Sequence, residues 1–148
     1  MQGLLLINKP EGLTSFGVVA KIKWLLHTKR VGHTGTLDPM ATGVLPVLVG
    51  RPTVLCGRLI EADKEYIATI KLGITTDTLD ITGRETNRND IILTDEQIKN
   101  ALPDFIGRIS QTPPMYSAVH VNGARAHELA RANKIVEIPP RNVEIFEL

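Results

Sequence analysis

The sequence lacks the residues on which several common kinds of site depend. One cysteine, Cys56, in 148 residues excludes an internal disulfide framework and is typical of a reducing compartment. The only serines are Ser15, Ser110 and Ser117, and none lies in the Gly-x-Ser-x-Gly pattern of a serine hydrolase. The histidines and the cysteine contain no pair at a metal-ligand spacing, and neither His-Glu-x-x-His nor Cys-x-x-Cys occurs. Serine hydrolysis and metal catalysis therefore have little support.

Long apolar runs are absent as well. No apolar stretch approaches the roughly 18 residues of a membrane span. The first residues, up to Ile7, carry no basic leader and stop at Lys9-Pro10, so we predict a buried strand and not a signal peptide. With 43% hydrophobic and 22% charged residues, the chain has the composition of an ordinary globular domain or part of one. We expect a cytoplasmic protein without a membrane partner.

Acidic residues are missing from one long segment, between Gly12 and Leu37, although the net charge of the whole chain is only +1. Four cationic side chains lie there: Lys21, Lys23, Lys29 and Arg30. Clustered cations suit a polyanionic substrate, because phosphate contacts supply much of the affinity for nucleic acid. They also suit a solvated helix end, where basic residues complement the helix dipole. The residues alone leave both interpretations open.

The acid-free segment leads into a loop of small residues around one carboxylate. Residues 32–46 read G-H-T-G-T-L-D-P-M-A-T-G-V-L-P, in which Asp38 is followed by Pro39. We expect Gly32, Gly35 and Gly43 to adopt positive φ or to let a ligand approach the backbone. A phosphate cradle is the weaker interpretation, because the loop has no lysine and no P-loop pattern. An Asp before Pro can instead start a turn or cap a helix, so the pattern alone leaves structural and catalytic roles open.

This loop resembles the catalytic motif of the bacterial tRNA pseudouridine synthases that modify the T loop, Gly-His-x-Gly-x-Leu-Asp-Pro-x-Ala-x-Gly. Further segments resemble that family in the same order along nearly the whole chain. They are Lys9-Pro10-x-Gly12-x-Thr14-Ser15, Asp63-Lys64-x-Tyr66 with Leu72-Gly73, Thr76-Asp77-Thr78-x-Asp80, and Pro113-Pro114-x-Tyr116-Ser117-Ala118.

The resemblance implies an enzyme that flips a uridine out of the tRNA T stem-loop and isomerises it to pseudouridine, without cofactor or metal. It implies that Asp38 is catalytic, by covalent attack or by proton abstraction at the sugar. His33 and Tyr66 would contact the flipped uridine. Further RNA contacts are expected at Lys9, Lys29, Arg30, Asp80 and Tyr116. A monomer is expected.

Two other functions remain open. A non-catalytic RNA stem-loop binding module would use the basic segment and the Asp38 loop only to hold RNA. A carboxylate-dependent glycosidase would need a second acid, which Asp77 or Asp80 could supply.

Family members carry an Arg, in a Gly-x-Tyr-Ile-Arg segment, that pairs with the catalytic Asp, and a C-terminal RNA-binding domain. Neither occurs in residues 1–148, which we therefore interpret as the N-terminal part of the catalytic domain. No arginine of the chain takes the pairing role, so we expect the chain alone to be inactive.

Periodicity predicts an α+β fold with a mixed, largely antiparallel sheet and flanking helices. Expected strands are Gly3 to Ile7, Val44 to Val49, Glu65 to Leu72 with one well-buried face, Phe105 to Ile109, Tyr116 to Val121 before an Asn122-Gly123 turn, and Arg141 to Leu148. Expected helices are Ser15, as the cap, to Leu26; Pro52 to Ala62, burying Val54, Leu55, Leu59 and Ile60; a capping box at Thr94 with a helix to Leu102; and Ala124 to Ala132. Residues 73–89 are expected to form a loop or a short irregular insertion.

Overall fold

The structure is a computed structural model that describes residues 1–117, 119–121, 123–132, 134 and 136–148. The chain divides into two compact units, Met1–Ile67 and Ala68–Leu148. Within the described ranges, no helix is long and apolar enough to cross a membrane. Ala118 of the Pro-Pro motif and Asn122 of the predicted turn lie outside the described residues.

The first unit is a three-stranded antiparallel sheet with a helix on one face. The sheet has the order β1-β3-β2, so β3 is the central strand. Its elements are β1 (Gly3–Lys9), α1 (Ser15–Leu25), β2 (Val31–His33), β3 (Gly43–Val49), a 3-10 turn (Arg51–Leu55) and α2 (Cys56–Leu59).

The core of the first unit lies between α1 and the sheet. Val18, Val19 and Ile22 of α1 are buried against inward-facing residues of β3, among them Leu45 and Val47. In β1 the side chains alternate, with the inward ones half-buried and Leu4 and Leu6 exposed. This alternation is the period-2 pattern of a strand with one covered face.

Helix α1 begins and ends in well-defined caps. Its N-cap is Thr14, whose hydroxyl accepts a hydrogen bond from the Gly17 N–H at 2.9 Å, so the prediction of Ser15 as the cap is wrong by one residue. At the other end, Thr28 N–H donates to Lys23 C=O at 3.1 Å and His27 N–H to Trp24 C=O at 3.3 Å. This is a Schellman motif with His27, at φ 47°, in the position that glycine usually takes.

The second unit consists of short antiparallel strand pairs and two helices. The pairs are β4 with β5, β6 with β9 and β7 with β8. Its elements are β4 (Ile74–Thr76), β5 (Glu85–Arg88), α3 (Asp95–Ala101), a 3-10 turn (Leu102–Phe105), β6 (Gly107–Gln111), β7 (His120–Val121), β8 (Ala124–Arg125), α4 (Ala126–Arg131) and β9 (Arg141–Ile145).

These elements confirm the α+β class. The capping box is also confirmed: Gln97 N–H donates to the Thr94 hydroxyl, and Thr94 N–H donates to the Gln97 side chain. Residues 73–89, expected to be a loop or a short irregular insertion, instead form the β4–β5 hairpin. That hairpin is not amphipathic, so the periodicity of apolar residues gave no signal for it.

Two other predicted elements are wrong. Glu65 to Leu72 alternates like a strand but is exposed throughout, and the chain from 63 to 71 has no regular structure. A strand is stable only when its backbone groups pair with a neighbour, and no described strand pairs with this segment. The helix predicted from Pro52 to Ala62 is reduced to a 3-10 turn and the single turn of α2. The four apolar side chains that it was expected to bury are exposed.

Candidate active site

The Asp38 loop begins where a proline ends the pairing of β2 with β3. Pro46 lies within the central strand β3 and has no N–H to donate. Strand β2 pairs with β3 only as far as His33 opposite Val47, after which Thr34 N–H donates to the Pro46 carbonyl at 3.1 Å. The ladder ends there, because Pro46 cannot return that bond. The chain then leaves the sheet as the loop that carries Asp38.

The residue before Asp38 is held by the start of α1. The Ser15 hydroxyl accepts a hydrogen bond from Leu37 N–H at 2.9 Å and donates one to the Leu37 carbonyl at 3.1 Å. One side chain therefore satisfies both backbone groups of Leu37. Ser15 is buried, so the two bonds are shielded from water.

The residue after Asp38 is held by Lys9 and Gly12. The Pro39 carbonyl accepts hydrogen bonds from Gly12 N–H at 2.7 Å and from Lys9 Nζ at 3.2 Å. Lys9 Nζ also donates to the carbonyls of Leu13, at 2.6 Å, and of Pro10, at 3.0 Å. An ammonium group has three N–H donors, so these three acceptors use all of them.

Asp38 itself is thus fixed through its neighbours while its side chain is exposed. The Asp38 carbonyl accepts a hydrogen bond from Ala41 N–H at 3.0 Å, which closes the turn that follows. In the described part of the chain, no Lys, Arg or His forms an ion pair with the Asp38 carboxylate. An acid held in this way can meet a reacting atom in a set orientation.

His33 brings an unsatisfied polar atom to the start of the same loop. Its Nδ1 is buried and has no hydrogen-bond partner among the described residues. Buried polar atoms in native proteins are nearly always paired. The His33 ring therefore places an unpaired, buried nitrogen beside the start of the Asp38 loop.

Glycine is present at the three loop positions for different structural reasons. Gly43 has φ 123°, a backbone conformation that residues with a side chain rarely adopt. A Cβ on Gly32 would lie 2.9 Å from Cys56 Sγ, so Gly32 makes room for packing and not for a ligand. Gly35 has neither a positive φ nor a close neighbour. It leaves open space beside the loop.

The remaining predicted site residues are placed separately. Lys29 and Arg30 are exposed, directly after α1. Tyr66 is 67% exposed, and within the described structure its hydroxyl has no hydrogen-bond partner. Lys9 has no exposed surface, which leaves an RNA phosphate no access to its ammonium group. The structure therefore supports a role for Lys9 in holding the loop and not in contacting RNA.

Asp80 and Tyr116 belong to the second unit. Asp80 Oδ1 accepts hydrogen bonds from the Thr82 hydroxyl, Thr82 N–H and the Thr78 hydroxyl, at 2.6 to 2.8 Å. The bond from the Thr82 side chain is the largest of the causes that hold the pKa of the Asp80 carboxyl below its usual value. Asp80 is therefore ionised at neutral pH and organises the turn between β4 and β5. Tyr116 lies, partly exposed, in a bend before β7.

Ser15 is the member of this site that the sequence interpretation missed, and Lys9 was given a different role. Both lie in the Lys-Pro-x-Gly-x-Thr-Ser segment, whose order along the chain was the available signal. Among the described residues, no group of three or more His, Cys, Asp or Glu side chains is placed to hold a metal ion.

Comparison with known proteins identifies relatives of the whole chain. Residues 23–148 match the family described as TruB family pseudouridylate synthase (N terminal domain). The chain is 50% identical to tRNA pseudouridine synthase B of Francisella philomiragia and 48% identical to that of Clostridium kluyveri, with all of this chain covered in both cases. It covers 50% and 51% of those proteins, so it spans about half the length of the curated relatives that it matches.

A solved structure is also similar. A chain in the crystal structure of a Cbf5-Nop10-Gar1 complex superimposes with a TM-score of 0.62 and 35% identity. The match covers 80% of this chain and 31% of that one.

Proposed function

Because the chain belongs to the TruB family of pseudouridylate synthases, we propose that it supplies the catalytic carboxylate of an enzyme that isomerises uridine to pseudouridine in the T loop of tRNA. The relatives that match it over its whole length are named tRNA pseudouridine synthase B, which supports tRNA as the substrate. The chain corresponds to the N-terminal part of the catalytic domain.

One observation carries the proposal. The Asp38 carboxylate is exposed on a loop whose backbone is fixed on both sides, by Ser15 at Leu37 and by Lys9 and Gly12 at Pro39. The carboxylate of a purely structural aspartate would accept hydrogen bonds in a helix cap or a turn, as that of Asp80 does. The Asp38 side chain has no such bond within the described part of the chain.

The reaction breaks the N1–C1′ bond of uridine, turns the base and joins C5 to C1′. Asp38 assists through its carboxylate, either by covalent attack on the target nucleotide or by removing a proton from its sugar. The loop geometry serves both routes, since each needs the carboxylate held against one nucleotide. The target base must leave its stack, so the pocket has to replace the lost contacts.

Each of the two units contains residues that we propose to contact RNA. His33, which is half-exposed at the start of the Asp38 loop, contacts the flipped nucleotide, and Tyr66 offers an exposed ring for stacking. Lys29 and Arg30 contact phosphates of the tRNA T stem-loop. Asp80 and Tyr116 are the further candidates. The protein acts as a cytoplasmic monomer.

Replacing Asp38 tests the proposal. We design a chimera in which this chain replaces the corresponding half of the Francisella philomiragia relative, because the chain aligns with it over its full length. The chimera is expected to release tritium from C5-labelled uridine in a T stem-loop. Asp38→Asn should abolish that release while RNA affinity changes by less than about tenfold, or roughly 1.4 kcal/mol.

One control and three deciding outcomes complete the experiment. The 148-residue chain alone is expected to bind RNA weakly and to form no pseudouridine, since no described cation pairs with Asp38. Substantial turnover by the Asp38→Asn chimera would refute the catalytic assignment. RNA retention without tritium release in the unmutated chimera would favour a binding module, and free uracil would indicate a glycosidase.

A further inference from the structure

Helix α1 presents a solvent-facing surface that the Asp38 site does not use. Trp24 is 71% exposed and Phe16 is 70% exposed, although both are large aromatic side chains. Phe16, Ala20 and Trp24 are spaced by four residues, so they lie in one row along the helix. The opposite side of α1 packs on the sheet through Val18, Val19 and Ile22. We call the row, together with Lys23 and His27, the outer face of α1.

One end of the outer face is a hollow in which an aromatic ring lies among cations. The hollow is shallow and open to solvent, with a volume of about 740 Å³. Its lining residues are Ala20, Lys23, Trp24, His27, Thr28 and Lys29. The Schellman motif at the end of α1 folds the chain back and brings Lys29 to the same hollow as Trp24.

We infer that Trp24 stacks on an unpaired nucleotide of the RNA substrate, while Lys23 and Lys29 contact the phosphates beside it. The inference rests on the proposed function, because it takes RNA as the substrate. An aromatic ring among cations and without acids is the arrangement by which proteins hold single-stranded nucleic acid. The segment from Gly12 to Leu37 carries no acidic residue to repel the phosphates.

The nucleotide on Trp24 is a different one from the nucleotide at Asp38. Ser15, at the start of α1, holds the Asp38 loop through Leu37. Trp24 follows nine residues later, about 13 Å along the helix axis at 1.5 Å per residue. One uridine at the Asp38 loop does not span that distance. The outer face therefore lengthens the RNA-binding surface beyond the catalytic loop.

A second copy of the chain is a poorer occupant of this face. A two-fold interface places the same patch on both sides. The cations around Trp24 would then face their own copies without an acid from this segment between them. An RNA strand supplies both the flat apolar base and the negative charge that the face lacks.

Tryptophan fluorescence reads out the contact directly, because the chain has one tryptophan. The 148-residue chain is titrated with a T stem-loop and with an oligouridylate of about 12 nucleotides. Binding is followed separately by the anisotropy of end-labelled RNA. The expected result is quenching that saturates with the same Kd as the anisotropy change.

Variants separate stacking from charge. Trp24→Ala should weaken binding by about 5- to 100-fold and leave the salt dependence unchanged. Lys23→Ala should make the slope of log K against log salt shallower by roughly 0.7 to 0.9. Phe146→Ala is the matched control, since Phe146 is an exposed aromatic residue of the second unit. It should change the affinity by less than about twofold.

Several outcomes would overturn the inference. They are RNA binding without quenching, no binding of either RNA, and an emission spectrum that shifts to the blue with protein concentration while the chain sediments as a dimer. The proposed function is tested by a separate measurement, the release of tritium by the chimera. Trp24→Leu in that chimera should raise KM and leave kcat unchanged, whereas a chimera inactive with either residue contradicts only the proposed function.

Discussion

At the scale of single residues, the interior of the first unit contains an ammonium group that no carboxylate neutralises. Lys9 has no exposed surface, and the described residues include no acid within ion-pair distance of it. Burying a charge is costly unless hydrogen bonds compensate for the lost water. Lys9 donates three such bonds, to the carbonyls of Pro10 and Leu13 in the connection to α1 and of Pro39 in the Asp38 loop. The Lys9 side chain therefore connects strand β1 to that loop by hydrogen bonding.

Lys9→Met should lower the free energy of unfolding by about 1–3 kcal/mol, because three carbonyls lose their hydrogen-bond donor while the alkyl chain is kept. Urea denaturation of the chain measures the effect. Lys21→Met, at an exposed position of α1, is the control and should stay within about 0.5 kcal/mol of the original chain. An unchanged midpoint for Lys9→Met would mean that the ties around Pro39 contribute nothing to stability.

The sequence singles out Asp38 and His33 because their motif is long and contiguous, and the roles given to them stay predictions. It could not reveal what Lys9 does, since a lysine in a Lys-Pro segment has the same letters whether it is buried or exposed. Its role depends on the Pro39 carbonyl, 30 positions away in the chain. A contact of that range is a property of the fold.

At the scale of elements, α1 serves two neighbouring functions through two adjacent hydroxyls. Thr14 caps the helix through Gly17 N–H, and Ser15 holds Leu37 of the Asp38 loop. The two side chains are consecutive and similar in chemistry. They allow the helix cap and the loop contact to be separated experimentally.

Thr14→Ala and Ser15→Ala should each cost about 1 kcal/mol of stability, through a lost cap and lost loop bonds respectively. Only Ser15→Ala should increase the hydrogen-exchange rate of the Leu37 amide and lower kcat in the chimera. Amide exchange followed by NMR, with tritium release, measures both. Equal effects of the two variants on Leu37 would show that the loop responds to the helix as a whole.

Local signals predicted the elements that also have partners. The first strand, α1, β3 and α3 were found because their apolar spacing or capping residues agree with their packing. Glu65 to Leu72 has an equally clear alternation and forms no strand, because pairing requires a second strand that periodicity does not supply. The prediction for the β4–β5 segment was wrong for the opposite reason: its strands pair although they bury no apolar face, so periodicity could not reveal them.

At the scale of the whole molecule, the positions of the charged residues say more about binding partners than the net charge does. A net charge of +1 says little about partners, but four cations of the chain fall in a segment of 24 residues without any acid, between Gly12 and Leu37. Two of these cations, Lys29 and Arg30, are exposed directly after α1. Association with RNA should therefore depend on where a charge is removed.

Replacing Lys29 and Arg30 together with Ala should weaken RNA binding and flatten its salt dependence, by roughly 0.7 to 0.9 in slope for each lost phosphate contact. Lys99 and Arg131, exposed in the second unit, form the matched pair, because their replacement changes the net charge equally. Filter binding at several salt concentrations measures the slope. Equal slopes for the two double variants would make Lys29 and Arg30 a solvated helix end.

The unpaired stretch from 63 to 71 has a practical consequence for anyone who purifies this chain. It is exposed along its whole length and lacks regular structure, and the boundary between the two compact units falls within it, after Ile67. Proteases bind their substrates as extended, accessible chain, and Lys64 and Lys71 offer trypsin-like enzymes two cleavage sites there. A trace of such an enzyme would divide the protein near its middle and separate Asp38 from Asp80. An older preparation would then contain more cleaved chain, and an assay would measure two fragments in place of one intact protein.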